Sequence, residues 1–138
     1  MQRTLCIVKP DAVARALIGS IIQTFEGNGL RVVALRRMRL SKEDAGRFYH
    51  VHRERPFFDS LTDYMTSGAI VPMVLEGENA IARVRELMGA TDPAKAAEGT
   101  IRKLYGESIE RNSVHGSDAP ETAAFETTFF FTGKEIGG

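Results

Sequence analysis

The chain has 138 residues, of which 43% are hydrophobic and 26% are charged, so it predicts one globular domain over residues 1–138. Lys and Arg together number 18, as do Asp and Glu, so no net charge draws the chain to nucleic acid or to an anionic membrane surface. The longest apolar stretch, residues 69–75, is far too short to span a bilayer, and the single cysteine, Cys6, excludes an intrachain disulfide; both features favour a cytoplasmic protein.

The first third of the chain predicts a strand, a helix and a second strand. Residues 4–8 are apolar and partly β-branched, as in a buried strand. Asp11 is a suitable N-cap for the helix that follows, and residues 27–29 end it. One face of that helix is apolar: Leu17, Ile18, Ile21, Ile22 and Phe25. Residues 30–40 are expected to form the second strand.

The middle third predicts three helices around a third strand. Ser41 resembles a helix N-cap, and that helix is expected to continue to the break at Arg55-Pro56. A short amphipathic helix follows, with Phe57, Leu61, Tyr64 and Met65 on one face. Residues 70–75 are the third strand. The next helix, beginning near residue 79, is expected to bury Ile81, Val84, Leu87 and Met88.

The last third is less regular. Residues 89–99 lack an apolar period and predict a long ordered loop, a feature that is often functional. Residues 112–115 predict a short fourth strand. The segment from Asp118 resembles a capped helix start, whereas residues 125–132 are compatible with either a strand or a helix. This order of elements favours an α+β, ferredoxin-like (split βαβ) fold, with a four-stranded antiparallel sheet covered by helices.

Few residues suggest chemistry when taken singly. His50 and His52 are two positions apart, so they do not share a helix face and are poor metal ligands. His115 precedes a glycine, which would let a ligand or backbone come close; a turn histidine with ordinary partners is the alternative. Lys9 leaves a strand end facing a helix start, a place suited to an anion, or else it is simply solvated. Neither a P-loop nor a Rossmann glycine motif is present.

Seven segments occur in one order over nearly the whole chain, and together they are similar to the nucleoside diphosphate kinase family. The segments are Ile7-Val8-Lys9-Pro10-Asp11, Tyr49 with Arg55-Pro56-Phe57-Phe58, Met65-Thr66-Ser67-Gly68, Leu75-Glu76-Gly77-Glu78-Asn79-Ala80, Gly89-Ala90-Thr91-Asp92-Pro93, Gly99-Thr100-Ile101-Arg102 and Asn112-Ser113-Val114-His115-Gly116-Ser117-Asp118. The sequence departs from the family pattern at Ala69, Leu104 and Thr127-Thr128. If Thr127 faces the core, its hydroxyl requires a hydrogen-bond partner.

The resemblance implies a ping-pong phosphotransferase. His115 would accept the γ-phosphoryl group of a nucleoside triphosphate, mainly ATP, and pass it to a nucleoside diphosphate. Glu126 would hydrogen-bond the other ring nitrogen of that histidine, with Lys9, Tyr49 and Ser117 as further catalytic residues. A catalytically inactive nucleotide-binding interaction module is the main alternative. An RNA-binding module on the same sheet is disfavoured because the strands lack an aromatic platform and the net charge is zero.

The resemblance also implies how the nucleotide is held. The expected contacts are to phosphate, ribose and base: Lys9, Phe57, Leu61, Arg85, Thr91, Arg102 and Asn112. Mg²⁺ is the implied cofactor, carried mainly by the nucleotide's own phosphates, so no protein metal cluster is expected. Stacking on Phe57 would tolerate any base. The family resemblance implies a homo-oligomer, and the short C-terminal tail favours a dimer or tetramer, with a hexamer possible.

Overall fold

A computed structural model describes residues 1–137, which contain four strands and eight α-helices. The strands are β1 (Gln2–Val8), β2 (Arg31–Leu35), β3 (Val71–Gly77) and β4 (Val114–Gly116). The helices are α1 (Pro10–Ala14), α2 (Ile18–Gly27), α3 (Lys42–Phe48), α4 (Phe58–Met65), α5 (Ala80–Met88), α6 (Ile101–Tyr105), α7 (Pro120–Phe130) and α8 (Gly133–Ile136). Two 3₁₀ turns lie at His50–His52 and Pro93–Lys95. No helix within residues 1–137 has the length and apolar character needed to cross a bilayer.

The four strands form one sheet in the order β2-β3-β1-β4, and all three neighbouring pairs are antiparallel. This confirms the predicted α+β, ferredoxin-like fold. The two central strands pair along their full lengths, from Gln2 opposite Gly77 to Val8 opposite Val71. On the other side of β1, Ile7 lies opposite His115 of β4.

Each face of the sheet has its own apolar core, because successive strand residues point to opposite faces. Cys6 and Val8 of β1 pack on the face covered by α2 and α5. Leu5 and Ile7 pack on the opposite face, which α3, α4 and α7 cover. Since directly opposed residues share a face, His115 lies on the same face as Ile7. Cys6 is fully buried, as expected for a small hydrophobic residue.

The prediction of one helix capped by Asp11 is wrong. Lys9 is the N-cap residue, Asp11 lies inside the first turn of α1, and the chain breaks before α2. Ala16 adopts φ 60°, a left-handed conformation that ends α1. The apolar periodicity of residues 17–25 correctly located α2, but no glycine marks the break before it.

The second strand and the following helix are both shorter than predicted. A register shift between Val32 and Ala34 bends β2, which ends at Leu35. The Arg36 amide still donates to the Pro72 carbonyl of β3 at 3.1 Å, while its guanidinium donates to the carbonyl of Phe130. Ser41 caps α3 as expected, accepting from the Asp44 amide at 3.0 Å. That helix ends at Phe48, well before Arg55-Pro56.

Residues 89–99 form an ordered loop with a 3₁₀ turn, and α6, which the sequence reasoning missed, follows it directly. Thr100 caps α6 through its hydroxyl, which accepts from the Lys103 amide. Arg102 Nη1 donates to the carbonyl of Gly89 at 3.0 Å, tying the two ends of the loop together. At only five residues, α6 is too short for its apolar period to be visible in sequence.

The ambiguous segment after Asp118 is helical. Thr122 stabilises the start of α7, because its hydroxyl accepts from the amide of Ala119 at 3.0 Å. The buried Thr127 hydroxyl donates to the Ala123 carbonyl at 2.8 Å, which supplies the partner that this departure from the family pattern required.

Substitution of Gly89 by alanine tests the loop packing. An added Cβ would lie 2.5 Å from Thr100 Oγ1 and 2.7 Å from Thr100 Cβ, at a backbone φ of +88°. Gly99 is the control for a positive φ alone, because its φ is +85° and a Cβ there would meet nothing within 4 Å. We expect Gly99→Ala to cost ~1–2 kcal/mol of unfolding free energy from the backbone alone. Gly89→Ala should cost a further ~1–3 kcal/mol, for the overlap with Thr100 and for the ψ of 179° that Gly89 combines with its positive φ.

Urea denaturation of both variants and of the parent chain measures these losses. Equal losses in the two variants would contradict the packing described for Thr100.

Candidate active site

A cleft of about 460 Å³ opens where β1 and β4 end, between α3–α4 on one side and the 89–112 segment on the other. The cleft brings together every predicted site residue except Ser117: Lys9, Tyr49, Phe57, Leu61, Arg85, Thr91, Arg102, Asn112, His115 and Glu126. Ser117 lies directly beneath, fully buried, and contacts Glu126. Residues that are up to 117 positions apart in the chain therefore converge on one cavity.

His115 is held by a carboxylate on one of its two ring nitrogens. His115 Nε2 lies 2.8 Å from Glu126 Oε1, and the Ser117 hydroxyl donates to the same oxygen at 2.8 Å. Ser117 is itself fixed by β1, since its amide donates to the Leu5 carbonyl at 3.0 Å. An ionised Glu126 accepts a proton-bearing nitrogen, so the tautomer with hydrogen on Nε2 is favoured and Nδ1 keeps its lone pair.

Aromatic rings enclose His115. The ring of Phe48 meets it edge-on at a centroid distance of 5.5 Å, and Tyr49 does so at 6.2 Å. Burial, followed by the negative charge of Glu126, raises the pKa of Tyr49 well above its ordinary value, so the phenol keeps its proton. Its hydroxyl has no hydrogen-bond partner within residues 1–137. A buried hydroxyl without a partner is uncommon in proteins, and the residue that carries it lines the cleft.

Lys9 is the N-cap of α1 and is only 7% exposed. Its ammonium donates to Asn112 Oδ1 at 2.9 Å and to the Glu110 carbonyl at 3.2 Å. Asn112 in turn donates to the Thr91 carbonyl at 2.9 Å. Burial, reinforced by the charge of Arg102, lowers the pKa of Lys9 to about 8, against the opposing effects of Asp11 and Glu110. An anion in the cleft would favour the charged form.

Two arginines complete a positive wall. Arg102 is 6% exposed and donates to the Val114 carbonyl at 2.8 Å, while Arg85 reaches the Gly116 carbonyl at 3.4 Å. Burial and the charge of Arg85 lower the pKa of Arg102 to about 10, with an opposing effect of Cys6. Among residues 1–137, no ion pair involves Lys9, Arg85 or Arg102. Their charge is therefore left for a ligand to neutralise.

The outer part of the cleft is apolar and open. Phe57 is 48% exposed, beside the partly buried Leu61. The ring of His52 packs against Phe57 at a centroid distance of 5.5 Å. An exposed aromatic ring at a cavity mouth offers a stacking surface for another flat ring.

Sequence reasoning missed several cleft residues. Ile109, exposed and apolar, lines the cleft from the loop before β4, and Phe48 forms the wall behind His115. The sequence signal that could have indicated Ile109 is an isoleucine in an otherwise polar loop. The expectation for Gly116 needs correction: a Cβ there would lie 2.5 Å from Met88 Sδ, so a buried thioether, rather than a ligand or backbone, occupies the space.

The acidic side chains of the cleft do not form a metal cluster. In residues 1–137, no three His, Cys, Asp or Glu side chains come together as ligands. Glu126 is occupied by His115 and Ser117, and Asp118 accepts from the Thr122 hydroxyl. This donor set fits a cation that arrives bound to an anionic ligand better than one held by the protein.

Comparison with known proteins gives one consistent result. The family model described as nucleoside diphosphate kinase matches residues 2–136. A nucleoside diphosphate kinase of Oleidesulfovibrio alaskensis is 64% identical over 137 residues, covering 99% of each chain. One from Nitratidesulfovibrio vulgaris is 63% identical over 138 residues, covering 100% of this chain and 99% of its own.

Solved structures agree. The Aquifex aeolicus nucleoside diphosphate kinase superposes with a TM-score of 0.96 at 48% identity, covering 98% of both chains. A halophilic nucleoside diphosphate kinase from Halobacterium salinarum, solved in complex with CDP, gives 0.94 at 44% identity, covering 98% of this chain and 90% of its own.

The lowered pKa of Lys9 predicts how stability depends on pH. Between pH 8 and pH 10.5 the native lysine loses its proton while the unfolded one keeps it. The unfolded state then binds more protons, so this residue makes the native state more stable as pH rises through that window. Compared with Lys9→Met, the parent chain should gain up to ~3 kcal/mol of unfolding free energy between these limits.

Urea denaturation at both pH values, with Lys103→Met as the control for an exposed lysine, measures the effect. A parent chain that tracks Lys9→Met across the window would show that Lys9 is not desolvated.

Proposed function

The chain belongs to the nucleoside diphosphate kinase family of phosphate-transferring enzymes, and we propose that its own His115 carries the γ-phosphoryl group from a nucleoside triphosphate, mainly ATP, to a nucleoside diphosphate. The observation that carries the proposal is the 2.8 Å contact of His115 Nε2 with Glu126, which leaves Nδ1 free in a cleft that also holds Lys9, Arg85 and Arg102. The reaction is a ping-pong exchange in two mirrored halves.

In the first half, the lone pair of Nδ1 forms a bond to the γ-phosphorus. The bond from that phosphorus to the β–γ bridging oxygen breaks, and the nucleoside diphosphate leaves with the electron pair. The ring gains positive charge as the bond forms, and Glu126 stabilises it through the Nε2 hydrogen. In the second half, a bound nucleoside diphosphate attacks the phosphohistidine, and Nδ1 recovers its lone pair.

Three cations of the cleft can neutralise the negative charge of the transferred phosphoryl group. Phosphoryl transfer depends mainly on positioning and on neutralising negative charge. Arg102 and Arg85 are oriented by backbone carbonyls rather than by carboxylates, so their charge is not already compensated. Lys9 is oriented by Asn112. The unpartnered Arg102 Nε and Tyr49 hydroxyl supply further donors to phosphate oxygens.

The open, apolar end of the cleft suits a nucleobase. Phe57 presents a ring face, and every base has a π-face that can stack on it without being read by hydrogen bonds. Leu61 lies beside it, and we infer that Asn112 and Lys9, which line the same cleft and hydrogen-bond to each other, contact the ribose hydroxyls. The halophilic relative was solved in complex with CDP, which supports acceptance of a pyrimidine nucleotide.

We assign Mg²⁺ as the cofactor that accompanies the nucleotide. When bound it would shield the phosphate charges and orient the β- and γ-phosphates for in-line transfer. The cleft supplies no cluster of carboxylates for the ion within residues 1–137, so Lys9, Arg85 and Arg102 share the neutralisation with it.

Self-association and a cytoplasmic location belong to the same proposal. β2 is an edge strand that pairs with β3 and exposes Leu35, a surface that supports a homo-oligomer. A dimer or tetramer is favoured over a hexamer. An inactive nucleotide-binding module is the alternative, and the intact contact between His115 and Glu126 argues against it.

Replacement of His115 by alanine tests the relay. After incubation with Mg-ATP and removal of nucleotide, the parent chain should show one added phosphate by intact mass, labile to acid and discharged by GDP. His115→Ala should show none while still binding ADP, because the cations and Phe57 remain. His50→Ala is the matched control, since His50 lies outside this cleft. A phosphate adduct on His115→Ala would refute the proposal.

Replacement of Glu126 by glutamine tests the carboxylate. The amide keeps the shape of the side chain but removes the charge that stabilises the ring, so formation of the phosphoenzyme should slow by roughly a hundredfold or more. Binding of ADP should change little, because Glu126 contacts His115 and Ser117 rather than the cations. Rapid-quench kinetics measures the rate. Glu121→Gln, on the exposed side of α7, is the control; equal rates in both variants would exclude this role.

A further inference from the structure

A buried carboxylate lies beside the cleft and has no part in the mechanism above. Asp11, in the first turn of α1, is 5% exposed. Its Oδ1 accepts a hydrogen bond from the Tyr64 hydroxyl, and that hydroxyl accepts from the Asp11 amide at 2.9 Å. Asp11 Oδ2 has no hydrogen-bond partner among residues 1–137. Burying a carboxylate with one oxygen that lacks a hydrogen bond costs free energy of folding unless a nearby positive charge offsets it.

The charge of Lys9 interacts with that of Asp11, although the Lys9 ammonium makes its hydrogen bonds to Glu110 and Asn112. Lys9 caps the same helix two residues earlier. The charged groups that act on Lys9 come from three elements: Asp11 from α1, Glu110 from the loop before β4, and Arg102 from α6. The two carboxylates favour the protonated lysine, whereas Arg102 and burial oppose it. Of the two carboxylates, Asp11 is buried and Glu110 is partly exposed, so solvent screens the charge of Asp11 less.

Tyr64 links the phosphate side of the cleft to the base side. It belongs to α4, the helix that also carries Leu61 and follows Phe57. The Arg111 guanidinium lies 5.0 Å from the centroid of the Tyr64 ring, and Arg111 directly precedes Asn112 in the chain. One tyrosine thus contacts the start of α1 and the segment that carries Asn112. Both Lys9 and Asn112 are therefore fixed relative to the helix beneath the base.

We propose that Asp11 and Tyr64 form a positioning pair for Lys9: Tyr64 fixes the first turn of α1 against α4, and Asp11 provides the buried negative charge that accompanies the lysine. This role rests on the proposed function, since Lys9 is taken to bind nucleotide phosphate. The pair itself does not line the cleft.

The two residues are separable by substitution. Tyr64→Phe removes the hydroxyl but keeps the ring under Arg111, so it loosens α1 and leaves the Asp11 charge in place. Asp11→Asn keeps an acceptor for the Tyr64 hydroxyl but removes the charge. Matched controls are Tyr105→Phe, because Tyr105 contributes no hydroxyl hydrogen bond to the cleft, and Asp63→Asn, an exposed carboxylate paired with Lys42.

The measurement is the dissociation constant of Mg-ADP by calorimetry, from about pH 6.5 to about pH 9.5, on the full chain. Affinity for the parent chain should fall as pH rises past about 8, where free Lys9 loses its proton. Tyr64→Phe should weaken binding about tenfold at every pH without moving that midpoint. Asp11→Asn should move the midpoint to lower pH, because Lys9 loses the charge that supports its proton. Both controls should match the parent.

Either of two results would overturn the inference: Tyr64→Phe and Asp11→Asn both binding as the parent does, or Asp11→Asn weakening binding with an unchanged midpoint. A thermal melt of each variant shows whether it is folded at the temperature used. If Tyr64→Phe is unfolded there, the shift of the midpoint in Asp11→Asn tests the inference on its own. Failure of the phosphorelay is distinguishable, because it would appear as a parent chain that binds Mg-ADP yet forms no phosphohistidine.

Discussion

The antiparallel pairing of β1 with β4 is the contact on which the whole site depends. It places His115 opposite Ile7, and the Lys9 amide extends the ladder by donating to the Ser113 carbonyl at 2.9 Å. β4 is a three-residue strand at the edge of the sheet, so the carbonyls on its outer side need hydrogen-bond partners from outside the sheet. Arg102 and Arg85 donate to the outward carbonyls of Val114 and Gly116. The arginines that close the sheet edge are thus the ones that gather positive charge beside His115.

That arrangement sets the electrostatics of the cleft. Cations held by carbonyls keep their full charge, whereas cations held by carboxylates are already neutralised. Burying these uncompensated charges costs free energy, which is why the pKa values of Lys9 and Arg102 fall to about 8 and about 10. An anion that enters the cleft relieves the cost. The same physical cause therefore lowers the stability of the empty protein and would strengthen its binding of an anion.

The sequence predicted the fold better than it predicted the boundaries of its elements. Helical periodicity located α2, α4 and α5, because each buries a regular face. It could not reveal the break at Ala16, since alanine ordinarily avoids a positive φ, or α6, which spans only five residues. For the site, residue type alone was insufficient. Arg102 reads as surface charge in sequence, and only its family resemblance indicated a role; its burial depends on α6.

The backbone at Ser113 explains how β4 and the residues just before it can present two site residues to one cleft. Along a regular strand, residues three apart point to opposite faces, so Asn112 and His115 could not both line one cleft. Ser113 adopts φ 77°, and the Val114 amide donates to the Asn112 carbonyl at 2.9 Å, closing a γ-turn. The turn cancels the alternation and directs both side chains inward. Its strain is held by the Lys9 amide on Ser113 and by Lys9 Nζ on Asn112. The lysine proposed to bind phosphate also maintains the turn that positions the histidine.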